Sequence, residues 1–333
     1  MKEAKYYEKF NNQVKCLLCP HFCKISEGQI SPCGNRINLD GKFYVTNYGN
    51  PVAINIDPIE KKPLYHFYPG SRTFSFCTAG CNLHCKNCQN SDISQNVRIL
   101  NHSAYQSPKK LVESALKNNC SSISYTYSEP TTFFEYMIDT AKLAHIHGLK
   151  NVLVSNGFIN PQALSELSQY LDAANIDLKC FDDYSAKRIS GAFSNPVLGT
   201  LKFFLKTKVW LEITNLIIPG YSDDLKFITD MCQWLVSNGF SYSPLHFSRF
   251  FPTYKLSNLT PTPETTLEEA YRIAVNAGLR FVYIGNINHY SKDTHCPLCF
   301  RKVILRDGYR VTDINIKNGK CIFCDRQIPG LFN

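Results

Sequence analysis

The sequence predicts an α/β protein: a partial (β/α)6 TIM-like barrel, preceded by a cysteine-rich metal-binding module and followed by a zinc-ribbon-like module. Three observations lead there. Strand-like and helix-like segments alternate about six times between Ser71 and Tyr290. The chain holds 15 cysteines, most of them in groups with metal-ligand spacing. Polar side chains gather just after the strand-like segments, where α/β barrels bind their ligands. The expected divisions are 1–70 for the first module, 71–290 for the barrel and 291–333 for a zinc-ribbon or rubredoxin-like end.

The barrel elements follow in order. Thr73 to Cys77 reads as a strand. Ser107 and Pro108 supply an N-cap and a first-turn proline for a helix through Leu116. Ser122 to Tyr127 is a strand, Thr131 to Ala144 a helix ending near Gly148, and Asn151 to Ser155 a strand. Asn160 and Pro161 open a helix to Leu171, and Ala174 to Leu178 is the next strand. Asn195 and Pro196 start a helix through Leu205, followed by a strand from Val209 to Ile218. Asp223 to Val236 and Thr266 to Ala277 are helices, each followed by glycine. Leu245 to Phe251 and Phe281 to Ile284 are the last strands. Such alternation requires parallel strands with right-handed crossovers. A doubly wound sheet is the alternative to an open barrel.

Composition narrows the function classes. With 333 residues and 44% hydrophobic content the chain can bury a sizeable core. An odd cysteine count excludes complete pairing within one chain, and the length does not suit a disulfide-stapled mini-domain. The first residues include acids and no apolar stretch, and no run approaches the ~18 apolar residues of a membrane span. The expectation is a cytoplasmic protein with reduced, metal-bound cysteines and no membrane partner. The net charge of +9 is spread without a basic block, so nucleic acid is permitted as a partner but not indicated.

Cys296, Cys299, Cys321 and Cys324 form two CxxC knuckles about twenty residues apart, the spacing of a zinc ribbon, with iron as the lesser alternative. The metal there would supply much of the folding energy, about 10–16 kcal/mol in zinc modules. His295 reads as a spare surface residue. Cys16, Cys19, Cys23 and Cys33 are less regular; by count four thiols suit one zinc or one iron–sulfur cluster equally well, and zinc is the preferred reading. His21 reads as a loop residue beside them. Cys120, Cys180 and Cys232 lie in apolar periodic segments and read as small buried hydrophobes.

Cys81, Cys85 and Cys88 follow the first barrel strand in a C-x3-C-x2-C loop. Three thiolates on a four-iron cluster leave one iron open, which catalysis needs. A chelating molecule with an amine and a carboxylate suits that iron. Glu129, after the second strand, is placed to accept hydrogen bonds from such an amine. Lys179, beside Asp177, is placed to pair with the carboxylate. Ser155 and Asn156 are placed to hold ribose hydroxyls. His246 and Arg249, on the sixth strand, are candidate substrate-side residues, and strand alternation puts them on opposite faces.

With those residues in order, the chain resembles the radical S-adenosylmethionine (SAM) superfamily. The resemblance implies that Cys81, Cys85 and Cys88 hold a [4Fe–4S] cluster whose fourth iron binds SAM. It implies reductive cleavage of SAM to a 5′-deoxyadenosyl radical that abstracts a substrate hydrogen. Glu129 occupies the place of the family's SAM-amine motif. Ser155, Asn156 and Gly157, with Asp177 and Lys179, are similar to SAM-binding segments of pyruvate formate-lyase activating enzyme, as is the run Ile217 to Asp224. A narrower likeness, to the AmmeMemoRadiSam system radical SAM enzymes, covers nearly the whole chain. It includes Cys16, Cys19, Pro20, the run Cys33 to Arg36, the run Ile56 to Leu64, the run Tyr125 to Thr131, the run Leu245 to Pro252 and the terminal CxxC pair. That likeness implies Memo-like and AMMECR-type proteins as partners and an electron donor such as flavodoxin or ferredoxin.

Three positions depart from the pattern. Asn87 stands where the superfamily usually has an aromatic residue near adenine. Cys77 stands where a small residue is expected; as a fourth ligand it would close the open iron, so it reads as a strand-end core residue. Val154 replaces an acid of the activating enzyme, which removes part of a matching cation site. Rival readings are activation of a glycyl radical enzyme, RNA modification, and a non-catalytic metal scaffold.

Overall fold

The computed structural model describes residues 1–333 apart from 12, 97–104, 288 and 333. Its centre is one eight-stranded sheet: β1 (Pro51–Pro58), β2 (Arg72–Thr78), β3 (Ser122–Tyr125), β4 (Lys150–Ser155), β5 (Ala173–Asp177), β6 (Trp210–Ile217), β7 (Leu245–Arg249) and β8 (Val282–Gly285), paired in that order. From β2 to β8 every neighbour is parallel. Only β1 runs antiparallel, against β2. The end strands β1 and β8 are not paired with each other, so the barrel is open, as the alternation predicts.

Six crossovers carry the helices α1 (Pro108–Lys117), α2 (Phe134–Ile146), α3 (Pro161–Ser168), α4 (Asp183–Ser190), α5 (Ser194–Phe204), α6 (Leu225–Ser237) and α7 (Glu264–Ala277). Ser107 caps α1 by accepting the Lys110 N–H at 3.3 Å, and Asp224 caps α6 by accepting that of Phe227 at 2.8 Å. Alternate residues of each strand face the helices: Phe74, Phe76, Leu153, Ala174 and Ile176 join one core with the apolar faces of α1, α2, α3, α5, α6 and α7, while Ala186 and Ile189 of α4 pack in a separate cluster with Ile218 and Phe250.

Two features depart from the sequence reading. Strand β1 lies within the expected first module, yet it is hydrogen-bonded into the barrel sheet. Helix α4 was not expected, and α5 starts at Ser194 rather than at Asn195, with the Ser194 N–H and hydroxyl both held by Asp183 at 2.8 Å.

The first 45 residues form two small three-stranded sheets, and residues 294–321 form a three-stranded and a two-stranded sheet. Between β1 and β2 the chain enters the barrel. Ile59, Leu64 and Phe67 pack on inward-facing Val152 and Ala173 near the N-terminal ends of β4 and β5. The Pro63 carbonyl accepts from Asn175 at 2.8 Å, and Glu212 accepts the backbone N–H groups of Tyr65 and His66 at 3.0 and 2.7 Å. Residues 59–68 thus form a floor at the N-terminal mouth of the barrel.

Candidate active site

The loop after β2 carries Cys81, Cys85 and Cys88, and it is held from three sides. Its His84 and Lys86 N–H groups donate to Ser190 and Ile189 at the C-terminal end of α4, at 3.0 and 2.9 Å. The Lys86 carbonyl accepts the Lys255 N–H at 3.0 Å. Asn82 donates to the Phe158 carbonyl and accepts from Asn156, each at 2.8 Å. The thiols of Cys81, Cys85 and Cys88 lie within electrostatic reach of one another. Burial raises the Cys85 thiol to about 11, against the pull of nearby Lys179. A bound cluster would keep these sulfurs deprotonated.

Glu129 is fully enclosed beside that loop. It accepts four hydrogen bonds: the Thr131 N–H at 3.0 Å, the Thr131 hydroxyl at 2.7 Å, the Ser155 hydroxyl at 2.7 Å and the Asn156 N–H at 2.9 Å. Burial raises its pKa, and the donors from Asn156, Thr131 and Ser155 counter that rise. Gly157 then turns the chain at φ +70°, where a side chain would meet Ile176 at 2.9 Å. Lys179 and Asp177 form an ion pair at 2.7 Å at the end of β5. Burial works against the ammonium, but Asp177 and the Cys85 thiol outweigh it and raise the Lys179 pKa. Glu129, Ser155, Asn156, Asp177 and Lys179 therefore all border the cysteine loop. Asn87, in the loop itself, has a buried side-chain oxygen with no hydrogen-bond partner.

His246 and Arg249 do face opposite ways. His246 points inward and meets Glu212 at 2.7 Å, with its ring stacked on Tyr283 at 5.0 Å. Burial opposes the Glu212 charge, but the bond to His246 holds its pKa below the usual range. Arg249 turns outward to the Thr262 carbonyl and Glu264, at 2.8 and 2.9 Å. A cavity of about 460 Å³ opens beside His246, lined also by Lys61, Tyr65, Ser248, Asn286 and Tyr309. Sequence reasoning assigned no role to the inward cluster of Asp57, Lys62 and Tyr127. Lys62 donates to Asp57 at 2.7 Å and lies 4.4 Å over the Tyr127 ring, and the Tyr127 hydroxyl bonds the same carboxylate. Nothing in spacing flags it, because Tyr127 comes from a segment far along the chain from Asp57 and Lys62. Cys77, Cys120, Cys180 and Cys232 are all buried, as expected.

In the C-terminal module the four sulfurs lie mutually within 4.8 Å, with Cys296 to Cys324 at 3.5 Å and Cys299 to Cys321 at 3.8 Å. Each knuckle ends in a left-handed residue, Phe300 at φ 60° and Asp325 at φ 59°. His295 is half-buried near Asp293 rather than free on the surface, and it is not one of the four ligands.

A barrel open on one side, with a three-cysteine loop after its first parallel strand and a caged carboxylate beside it, has the layout that the resemblance to radical SAM enzymes leads one to expect. Comparison agrees: the radical SAM superfamily model matches residues 75–231. Uncharacterized protein MJ0808 of Methanocaldococcus jannaschii is 40% identical over 332 residues, covering 98% of this chain and 99% of its own. Pyruvate formate-lyase 1-activating enzyme of Escherichia coli is 26% identical over 160 residues, 47% of this chain and 65% of that enzyme. The structure of Streptococcus suis SuiB bound to precursor peptide SuiA shares the fold at a TM-score of 0.52, with 13% identity over 70% of this chain and 52% of that one. The chain belongs to the radical SAM superfamily, whose members are enzymes working with a [4Fe–4S] cluster and SAM. No helix among the described residues is long and apolar enough to cross a membrane.

Proposed function

We propose that this enzyme cleaves SAM reductively at a cluster held by Cys81, Cys85 and Cys88 and abstracts hydrogen from a substrate in the barrel mouth. The observation that carries the reading is the Glu129 cage. Its carboxylate accepts four hydrogen bonds and is tied to the cysteine loop through Asn156 and Asn82. The bound cofactor pair supplies the one-electron bond cleavage and the radical. The protein's own residues bind and orient. Glu129 offers a fixed anion to an ammonium, Lys179 offers a cation to a carboxylate, and the orphaned Asn87 oxygen offers an acceptor to an adenine amine. His246, set by Glu212, faces the cavity where a substrate would lie. The C-terminal quartet is suited to zinc, with a structural role.

The test is anaerobic reconstitution with iron and sulfide, reduction by dithionite, and chromatography for 5′-deoxyadenosine. The nucleoside is expected from the wild type and not from Cys85→Ala. Its absence from reconstituted wild type overturns the reading. The match to an activating enzyme favours a second possibility for the substrate, a glycine of a partner enzyme. A glycyl radical signal by electron paramagnetic resonance after incubation with that partner would select it. Memo-like and AMMECR-type proteins are the proposed associates, and flavodoxin or ferredoxin the proposed donor.

A further inference from the structure

The three cysteine groups have two different spacings. The C-terminal quartet is tight, with sulfurs 3.5 and 3.8 Å apart. That matches one tetrahedral ion, because thiolates at about 2.3 Å from a metal stand about 3.8 Å from each other. Cys81, Cys85 and Cys88 are wide: each feels the other two, yet the C-terminal quartet is the one group among the described residues whose ligand atoms lie mutually within 4.8 Å. Thiolates on separate irons of a cluster must stand further apart than thiolates around one ion. Cys16, Cys19, Cys23 and Cys33 share the wide pattern. The four lie within electrostatic reach of one another, but no three of them approach as the C-terminal quartet does.

Two further observations concern what that centre would touch. Arg36 lies within electrostatic reach of Cys16 and Cys33, and its buried Nε–H has no partner, a donor available to cluster sulfur. The segment entering the catalytic loop is gripped by the same module. The Asn35 amide donates to the Ala79 carbonyl at 2.8 Å, and His21 Nε2 lies 2.7 Å from the Asn82 carbonyl. At Gly80 a Cβ would lie 2.6 Å from the Cys33 carbonyl oxygen, so backbone meets backbone between Cys33 and Cys81.

We infer that Cys16, Cys19, Cys23 and Cys33 hold a second [4Fe–4S] cluster, closed by four thiolates, that relays electrons to the open cluster through the contact at Gly80. The relay rests on the proposed function; the cluster itself does not. One electron leaves a reduced flavodoxin or ferredoxin, takes the closed cluster from the 2+ to the 1+ state, and passes on to the open cluster. The donor is oxidised by one electron, and no bond or proton changes place.

The test is metal and sulfide analysis of anaerobically reconstituted full-length protein, with Mössbauer spectroscopy. Wild type is expected to hold about eight irons and one zinc, and the triple variant Cys81→Ala, Cys85→Ala, Cys88→Ala about four irons. Cys19→Ser with Cys23→Ser should lose about four irons while keeping the zinc and the four irons of the Cys81, Cys85 and Cys88 loop, which together report that ribbon and barrel still fold. About four irons with two zincs in wild type, or no iron in the triple variant, overturns the second cluster. About four irons kept undiminished in the triple variant supports it and removes the catalytic cluster instead. For the relay, freeze-quenched spectra after mixing with the reduced donor should show the open cluster reduced at least tenfold more slowly in the Cys19→Ser, Cys23→Ser variant; an unchanged rate overturns the relay.

Discussion

Replacing Glu135 by glutamine keeps its shape and removes its charge, at a position where charge decides the outcome. Glu135, on α2, holds Arg36 in a bidentate pair at 2.9 and 2.8 Å, and both side chains are 1% exposed. One of its oxygens also accepts the Lys5 N–H at 2.7 Å. Glu135→Gln retains an acceptor for Lys5 but leaves Arg36 as a buried cation without its counter-charge. Breaking a buried pair from one side costs about 3–5 kcal/mol. Adding Arg36→Met removes the stranded cation, so the double variant should recover at least about 2 kcal/mol of that loss. The assay is anaerobic urea unfolding of the metal-loaded chain, followed by circular dichroism, on wild type, both single variants and the double variant. A cost for Glu135→Gln below about 1 kcal/mol, or a double variant less stable than the Glu135→Gln single, would refute the argument that this pair joins the amino-terminal module to the barrel.

Gly80→Ala should strip iron from the catalytic loop, because Gly80 sits at φ +102° and a Cβ would lie 2.3 Å from the Asn35 amide nitrogen; iron analysis against wild type reads it. Glu129→Gln should weaken SAM binding about 10–100-fold by equilibrium dialysis with iron content unchanged, the cost of one charge-assisted contact. Burial lowers the His66 pKa from 6.5 to about 4, so the unfolded chain takes up a proton that the native site refuses. That contribution is intact above pH ~6.5 and falls by about 1.4 kcal/mol per pH unit toward pH ~4. The difference between wild type and His66→Gln across a pH series isolates it, and a flat difference would contradict it. Chelation of the C-terminal metal, or Cys296→Ser, should speed amide hydrogen exchange at Tyr68 and Leu331, whose backbone bonds join the floor to that module, while β4 and β5 stay protected.

The barrel was legible because strand and helix periodicities differ and each crossover carries its own caps. Helix α4 was also signalled, by Asp182 at its N-cap and Gly191 beyond its end, but proline at position 196 drew attention further along. Strand β1 was not legible: its middle residues are polar or exposed, and it pairs as an edge. The cysteine loop and Glu129 could be named from order alone. The cage around Glu129 could not, since Ser155 and Asn156 reach it only through the register of β3 with β4. Spacing also could not distinguish a cluster from a zinc ion at Cys16 to Cys33. That depends on how far apart folding leaves the sulfurs.

The floor of the barrel has a consequence for the life of the chain. Its His66 is fixed by the Pro329 carbonyl and the Tyr283 hydroxyl, at 2.7 and 2.6 Å, and Arg306 clasps the Tyr65 carbonyl at 2.7 Å. All three partners are synthesised after the seven other strands of the sheet. Two of them belong to the module of the C-terminal cysteine quartet, which on the proposed reading folds around a metal ion. During translation the strands can therefore pair while the lower mouth is still unlatched, and the latch closes only when the ribbon has captured its ion. On that reading, metal supply at one end of the polypeptide sets when the chamber proposed for the radical chemistry at its middle becomes sealed.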